Sequence, residues 1–172
     1  MKEVLVVIAP RCCGITTFCN KVISAHPEIA LVATENHGPP TDEAYERLQE
    51  LLDQPGDQRI IFDCWNETRE DREQITERLK WFDPQCRTGG WVFTTPKGDC
   101  AKWHVEAEMA RGLEGEGLAR SLIKYKASYD RFHDNRPHGL EGFSFLVQVN
   151  AVRPPCFSNI FMPLIDGPYV PL

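Results

Sequence analysis

Unbroken apolar runs alternate along this chain with longer stretches in which apolar residues recur every three or four positions. Val4 to Ala9 is apolar throughout, the pattern of a strand covered on both faces, and a helical stretch follows from about Ile15 to His26. Ile29 to Ala33 predicts a second strand. Thr41 caps a helix whose Ala44, Leu48, Leu51 and Leu52 fall at i, i+4, i+7 and i+8, a single stripe that belongs to the core. Gln54-Pro55-Gly56-Asp57 breaks the chain before a third strand, Ile60-Ile61-Phe62, with Asp63 at its carboxyl end.

Thr68 and Asp71 stand at capping-box spacing ahead of a helix whose buried side carries Ile75, Leu79 and Phe82. Gly89-Gly90 leads into a strand at Trp91 to Phe93. A helix opening at Asp99 runs to about Arg111, the stretch from Gly112 to Gly117 interrupts it, and a second helix runs from about Leu118 to Phe132. Phe143 to Val149 supplies the last strand. This alternation predicts an α/β fold of three layers, a central and mainly parallel sheet with crossover helices on its faces. One domain over residues 1–152 is expected. Residues 153–172 carry Pro154, Pro155, Pro163, Pro168 and Pro171, which predicts an extended Pro-rich C-terminal tail. Its Phe157, Ile160, Phe161, Leu164 and Ile165 are expected to pack on the domain or on a second copy as a homo-oligomer.

Composition narrows the class. With 172 residues, 42% of them apolar, the chain buries a full core without metal or disulfide support. A formal net charge of -6 argues against nonspecific coating of duplex DNA, which draws its affinity from many Lys and Arg side chains, and leaves room for a local basic groove. The sequence has neither a basic, apolar and cleavable leader nor a membrane-length apolar run, so a cytoplasmic protein with no membrane partner is expected. Seven cysteines without a C-x-x-C pair fit neither a disulfide scaffold nor a zinc knuckle. Cys12 and Cys13 are adjacent at a predicted helix N-terminus, where thiol pKa values fall, but no motif supports a redox pair and both read as small loop fillers.

The chemistry gathers at the predicted carboxyl ends of the strands, where open α/β sheets bind ligands. The phosphate-loop pattern G-x-x-x-x-G-K-[ST] is filled by Ala9, Gly14, Ile15 and Thr16, so the lysine is missing. The amides of Arg11, Cys12, Cys13, Gly14, Ile15, Thr16 and Thr17 are placed to converge on a phosphate, with Thr16 and Asp63 as Mg²⁺ ligands. Glu35 alone reads as a solvated loop acid. Arg69 and Arg72 share a helix with Glu70, Asp71 and Glu73 and read as a solvated charged face; His104 reads as a packed helix histidine. Trp65 and Trp103 read as core or rim, with base stacking as the alternative.

In order and spacing, these elements resemble the kinase domain of phage polynucleotide kinase, a P-loop 5'-hydroxyl kinase. The likeness spans roughly residues 1–132 and includes His26-Pro27, Asp63-Cys64-Trp65-Asn66 with Arg69 and Arg72, and a helix ending in Arg111-Gly112 that resembles a mobile lid at about residues 107–120. The segment from Glu141-Gly142-Phe143 to Val149 resembles the wider family's terminal strand. The resemblance implies a P-loop kinase-type fold, ATP and Mg²⁺ as cofactors, and transfer of the γ-phosphoryl group to a hydroxyl of a nucleic-acid 5' end or a nucleoside-like acceptor. It places the base on Glu35, where the family has Asp, and a lid cation on Arg111. Ile15, Ala107 and Gly38 occupy three positions where the family has cations; Arg11, and Arg120 from the lid, are the candidate replacements. A catalytically impaired P-loop domain that binds a nucleotide, a nucleic acid or a protein is the alternative.

Overall fold

The computed structural model describes residues 1–151. The expected tail at 153–172 lies outside the described residues. The chain runs β1 (Lys2–Ile8), α1 (Ile15–Ala25), β2 (Ile29–Ala33), a 3-10 turn (Glu35–His37), α2 (Asp42–Leu52), β3 (Gln58–Asp63), α3 (Arg69–Phe82), β4 (Arg87–Phe93), α4 (Lys97–Ala110), α5 (Gly115–Asp134) and β5 (Phe145–Val149). The strands form one sheet in the order β2-β3-β1-β4-β5, and every described pairing is parallel.

Alternate side chains of β1 divide the interior in two, as a strand with both faces covered must. Leu5, Val7 and Ala9 join Phe18, Cys19 and Val22 of α1 with Tyr125 of α5. Val4, Val6 and Ile8 join Leu48 and Leu52 of α2 with Ile75 and Leu79 of α3. The sheet is thus the middle of three layers. The crossover after β1 uses one face and those after β2 and β3 the other, so the loop following β1 opens at the point where the winding reverses, the usual ligand crevice of such sheets.

The sequence places Gly89-Gly90 ahead of a strand, whereas β4 begins at Arg87 and contains both glycines. Close approach by β5 explains them: a Cβ on Gly89 would meet Phe145 Cζ at 2.3 Å, and one on Gly90 would meet Leu146 Cδ2 at 2.5 Å. The Thr68 and Asp71 capping box forms as expected.

Arg72 corrects the expectation of a solvated face, because it is fully buried. Its guanidinium donates to Glu141 at 2.5 Å and to the carbonyls of Asn66, Glu67 and Asn135, tying α3 to the loop before it and to the end of α5. Arg69 is exposed and pairs with Glu73, as that expectation has it. No described helix is long and apolar enough to cross a membrane.

Candidate phosphate-binding cleft

The loop between β1 and α1 is held by its carbonyls. Asn66 Nδ2 donates to the Val7 carbonyl at 2.8 Å, His37 Nε2 lies 3.0 Å from that of Ala9, Tyr125 donates to that of Arg11 at 2.7 Å, and Thr95 to that of Cys13 at 3.0 Å. Every second carbonyl is therefore anchored to a different part of the molecule. Left-handed residues at Cys12 (φ 56°) and Gly14 (φ 87°) turn the chain between these anchors. Glycine is required at 14 for a second reason, since a Cβ there would stand 3.0 Å from Ala151 Cβ and 3.2 Å from the Trp103 ring.

Anchoring the carbonyls leaves the donors over. Among the described residues, the amides of Arg11, Cys12, Cys13, Gly14, Thr16 and Thr17 donate to no protein acceptor. The Ile15 amide is directed at the Cys13 sulfur. Ungiven amides at the start of an eleven-residue helix, together with its dipole, form a site for an anion.

The loop faces a cleft of about 1490 Å³, and Arg11, Thr16, Asp63 and Arg111 all line it. Cys12, Gly14, Ile15 and Thr17 line it as well. Cys13 instead is fully buried, the filler that the sequence predicts. The Ile15 side chain is 5% exposed and packs with the core, so helical periodicity turns the slot of the missing lysine largely inward. Lys21 of α1 and Lys124 of α5 also line the cleft. The sequence reading missed them, although Ser121, Lys124, Tyr125 and Ser128 fall at i, i+3, i+4 and i+7, a polar stripe visible in the sequence.

Asp63 ends β3 as expected, with one of its oxygens already engaged. His37 Nδ1 lies 2.5 Å from Asp63 Oδ1 while Nε2 faces the Ala9 carbonyl, and both side chains are about a tenth exposed. Both ring nitrogens thus face oxygen atoms of the protein. His37 connects the end of β3 to the start of the loop, and its left-handed backbone (φ 51°), with that of Asn36 (φ 53°), makes the turn that brings it there. Trp65 packs edge-on to His37 at 5.7 Å and tilted against Phe132, and the Arg11 guanidinium lies 5.6 Å from its ring centre.

Two predicted residues are not brought in. Glu35 is exposed and faces an adjoining smaller groove with Thr41, Glu43 and Arg47, which shares Leu31, Ala33 and Thr34 with the main cleft, while its neighbour Asn36 lines the main cleft. Arg120 pairs with Glu116 on the exposed side of α5. Arg111 follows the last turn of α4 and pairs with Glu108 at 2.7 Å, which leaves its guanidinium largely in solvent at the cleft rim. Asn66 of the D-x-x-N element is buried and braces β1 through the Val7 carbonyl, while Asp63 alone of that element lines the cleft.

No protein-family model matches this chain, and no curated protein matches it. Solved structures do. The crystal structure of a fungal RNA kinase superposes with a TM-score of 0.61 at 13% identity, over 98% of this chain and 90% of that one. The YorR protein of Bacillus subtilis, crystallised in complex with phosphorylated GDP, gives a TM-score of 0.42 at 13% identity, over 94% and 93% of the two chains. At such identities the first likeness establishes a fold, and that fold is P-loop kinase-like.

Proposed function

We propose that the protein binds a nucleotide through its β1–α1 loop and acts as a P-loop phosphotransferase of the polynucleotide 5'-hydroxyl kinase type, passing the γ-phosphate of ATP to a hydroxyl acceptor. The observation that carries this reading is the row of undonated amides at the start of α1, facing a cleft that Arg11, Lys21, Arg111 and Lys124 line with positive charge. These four cations line the same cleft as the loop whose lysine is missing. Oxygen donors suit Mg²⁺, and Thr16 and Asp63 fit it as partners to an ion held mainly by phosphate oxygens. When bound, the ion would neutralise charge on the phosphates. His37 braces the loop from beneath through the Ala9 carbonyl.

The acceptor side favours a second reading, nucleotide binding without transfer. Glu35, the base implied by the resemblance, faces its own groove, and Ile15 sits in the core. Thermal unfolding with ATP and Mg²⁺ tests the shared part of both readings: at 100 times the dissociation constant a ligand adds about 2.7 kcal/mol. No shift would remove both. Transfer from γ-labelled ATP to a 5'-hydroxyl oligonucleotide then separates them. Arg11→Ala and Lys124→Ala are each expected to weaken ATP binding about tenfold, the effect of losing one charge-assisted contact.

A further inference from the structure

Cys12, which the sequence reads as a filler, meets the lid helices instead. Its sulfur lies 3.8 Å from His104 Nδ1, His104 Nε2 lies 3.0 Å from Ser121 Oγ, and Ser121 donates to Glu108 Oε2 at 3.3 Å. With its own proton given to Glu108, the Ser121 oxygen accepts from His104 Nε2–H. In the neutral ring this tautomer turns the lone pair of Nδ1 to the thiol. The His104 ring is further held by stacking on Tyr125, 4.3 Å between centroids and 11° between planes. A thiol, a base, a hydroxyl and a carboxylate form one chain from the phosphate loop through α4 and α5, and all four line the cleft.

The other described cysteines, Cys13, Cys19, Cys64, Cys86 and Cys100, are buried, whereas Cys12 is half-buried and borders the cleft. Burial pushes the Cys12 thiol up, with Arg111 as the largest opposing pull, so the resting group is a thiol that needs a base to react. His104 is that base by position. Charge selects the partner: on the cleft wall Arg11, Lys21, Arg111 and Lys124 outnumber Asp63 and Glu108, so an anionic reagent is attracted and a cationic one repelled.

We propose that Cys12 is a base-activated thiol at the mouth of the phosphate loop that exchanges with small anionic disulfides of the oxidised-glutathione class. His104 Nδ1 takes the thiol proton, the Cys12 sulfur attacks one sulfur of the disulfide, and the bond between the two disulfide sulfurs breaks. The departing thiolate leaves with that electron pair and takes the proton from the imidazolium. Cys12 ends as a mixed disulfide and one half of the reagent is reduced. On the nucleotide reading proposed above, the adduct occupies the space before the loop amides and shuts the site.

The test follows adduct formation at Cys12 by peptide mapping of the full chain treated with oxidised glutathione. Cys12 is expected to react ahead of the five buried cysteines, and His104→Gln to slow it at least tenfold. Cystamine, a cationic disulfide, is expected to react about tenfold more slowly, with the gap closing in 1 M salt. Equal rates in the wild type and His104→Gln overturn the proposal, as does cystamine matching oxidised glutathione at low salt. If His104→Gln melts early, Ser121→Ala serves in its place; it releases the tautomer, and an unchanged rate there overturns the proposal. ATP is expected to protect Cys12. Loss of protection alone, with His104 dependence intact, overturns the nucleotide reading and leaves the thiol proposal standing.

Discussion

Two carboxylates lie buried at opposite ends of the same parallel sheet, and they are held in opposite ways. Asp63 closes β3 at the cleft, beside a histidine that also grips the β1–α1 loop. Glu3, the second residue of β1, is 1% exposed at the far end, in register with Arg59 and Arg87 on the adjacent strands. Among the described residues neither oxygen of Glu3 accepts a hydrogen bond, and Arg87 Nη1 stands 3.6 Å away. Burial dominates there, opposed by Arg87 and then Arg59, and pushes the Glu3 carboxyl up to about 7. A displaced carboxyl in an enzyme-like fold ordinarily directs attention to function. In this molecule it marks the end away from the cleft, and the site is recognised by what its acid is bonded to.

The largest expected effect comes from breaking the paired end. His37→Ala strands Asp63 without its partner and the Ala9 carbonyl without a donor. Removing one member of a buried pair costs about 3–4 kcal/mol, so the urea midpoint should fall steeply at neutral pH. A loss below about 1 kcal/mol, the scale of a surface pair, would show that solvent already does the work of His37 and would erase the contrast between the two ends.

Glu3→Gln tests the other end, with opposite sign. Because the folded-state value lies above the ordinary 4.5, the folded protein holds the Glu3 proton more tightly than the unfolded chain does. Stability from this group is complete below about pH 4.5, declines as pH rises toward 7, and stays at its lower level beyond. The variant is therefore expected to be more stable than the wild type above pH 7, by up to about 3 kcal/mol, and to match it near pH 4. Denaturant curves at the two pH values measure this. A difference that does not change with pH would mean that the Arg59 and Arg87 charges cancel the effect of burial on Glu3.

The ends also differ in how far the sequence discloses them. The fold was legible because Val4 to Ala9 is apolar at every position and α2 and α3 repeat at 3.6, and those patterns follow directly from burial on two faces or on one. That Gly14, Thr16 and Asp63 share one cleft was legible because the phosphate-loop pattern sets particular residues at fixed spacing next to a strand end. His37 was not: nothing in Glu35-Asn36-His37 signals two consecutive left-handed residues that swing an imidazole 28 positions back in sequence to Ala9. Arg72 was hidden for a related reason, since its charged neighbours on α3 are solvated and its partner Glu141 lies 69 residues away. The Cys12 and His104 contact spans 92 residues. Side chains that act by reaching across the fold leave no local pattern, whereas those that act where the chain turns do.

Glu35 supplies the smallest effect on stability and the most decisive one on chemistry. It is exposed, faces a groove that adjoins the cleft, and is the third acid of the comparison, held among the described residues by neither pairing nor burial. Glu35→Gln should therefore change the unfolding free energy by less than about 0.5 kcal/mol. The transfer reading asks something more of the same residue. With Thr34 and Asn36 on the cleft wall, the Glu35 carboxylate would have to rotate about its own side-chain bonds to meet an acceptor hydroxyl, and losing it as the base would slow phosphoryl transfer about a hundredfold or more while ATP binding stayed unchanged. Equal transfer rates in the wild type and Glu35→Gln would move the base to another group on the cleft wall. Because stability and nucleotide affinity are expected to be silent in this variant, a change in rate reports on the acceptor side alone.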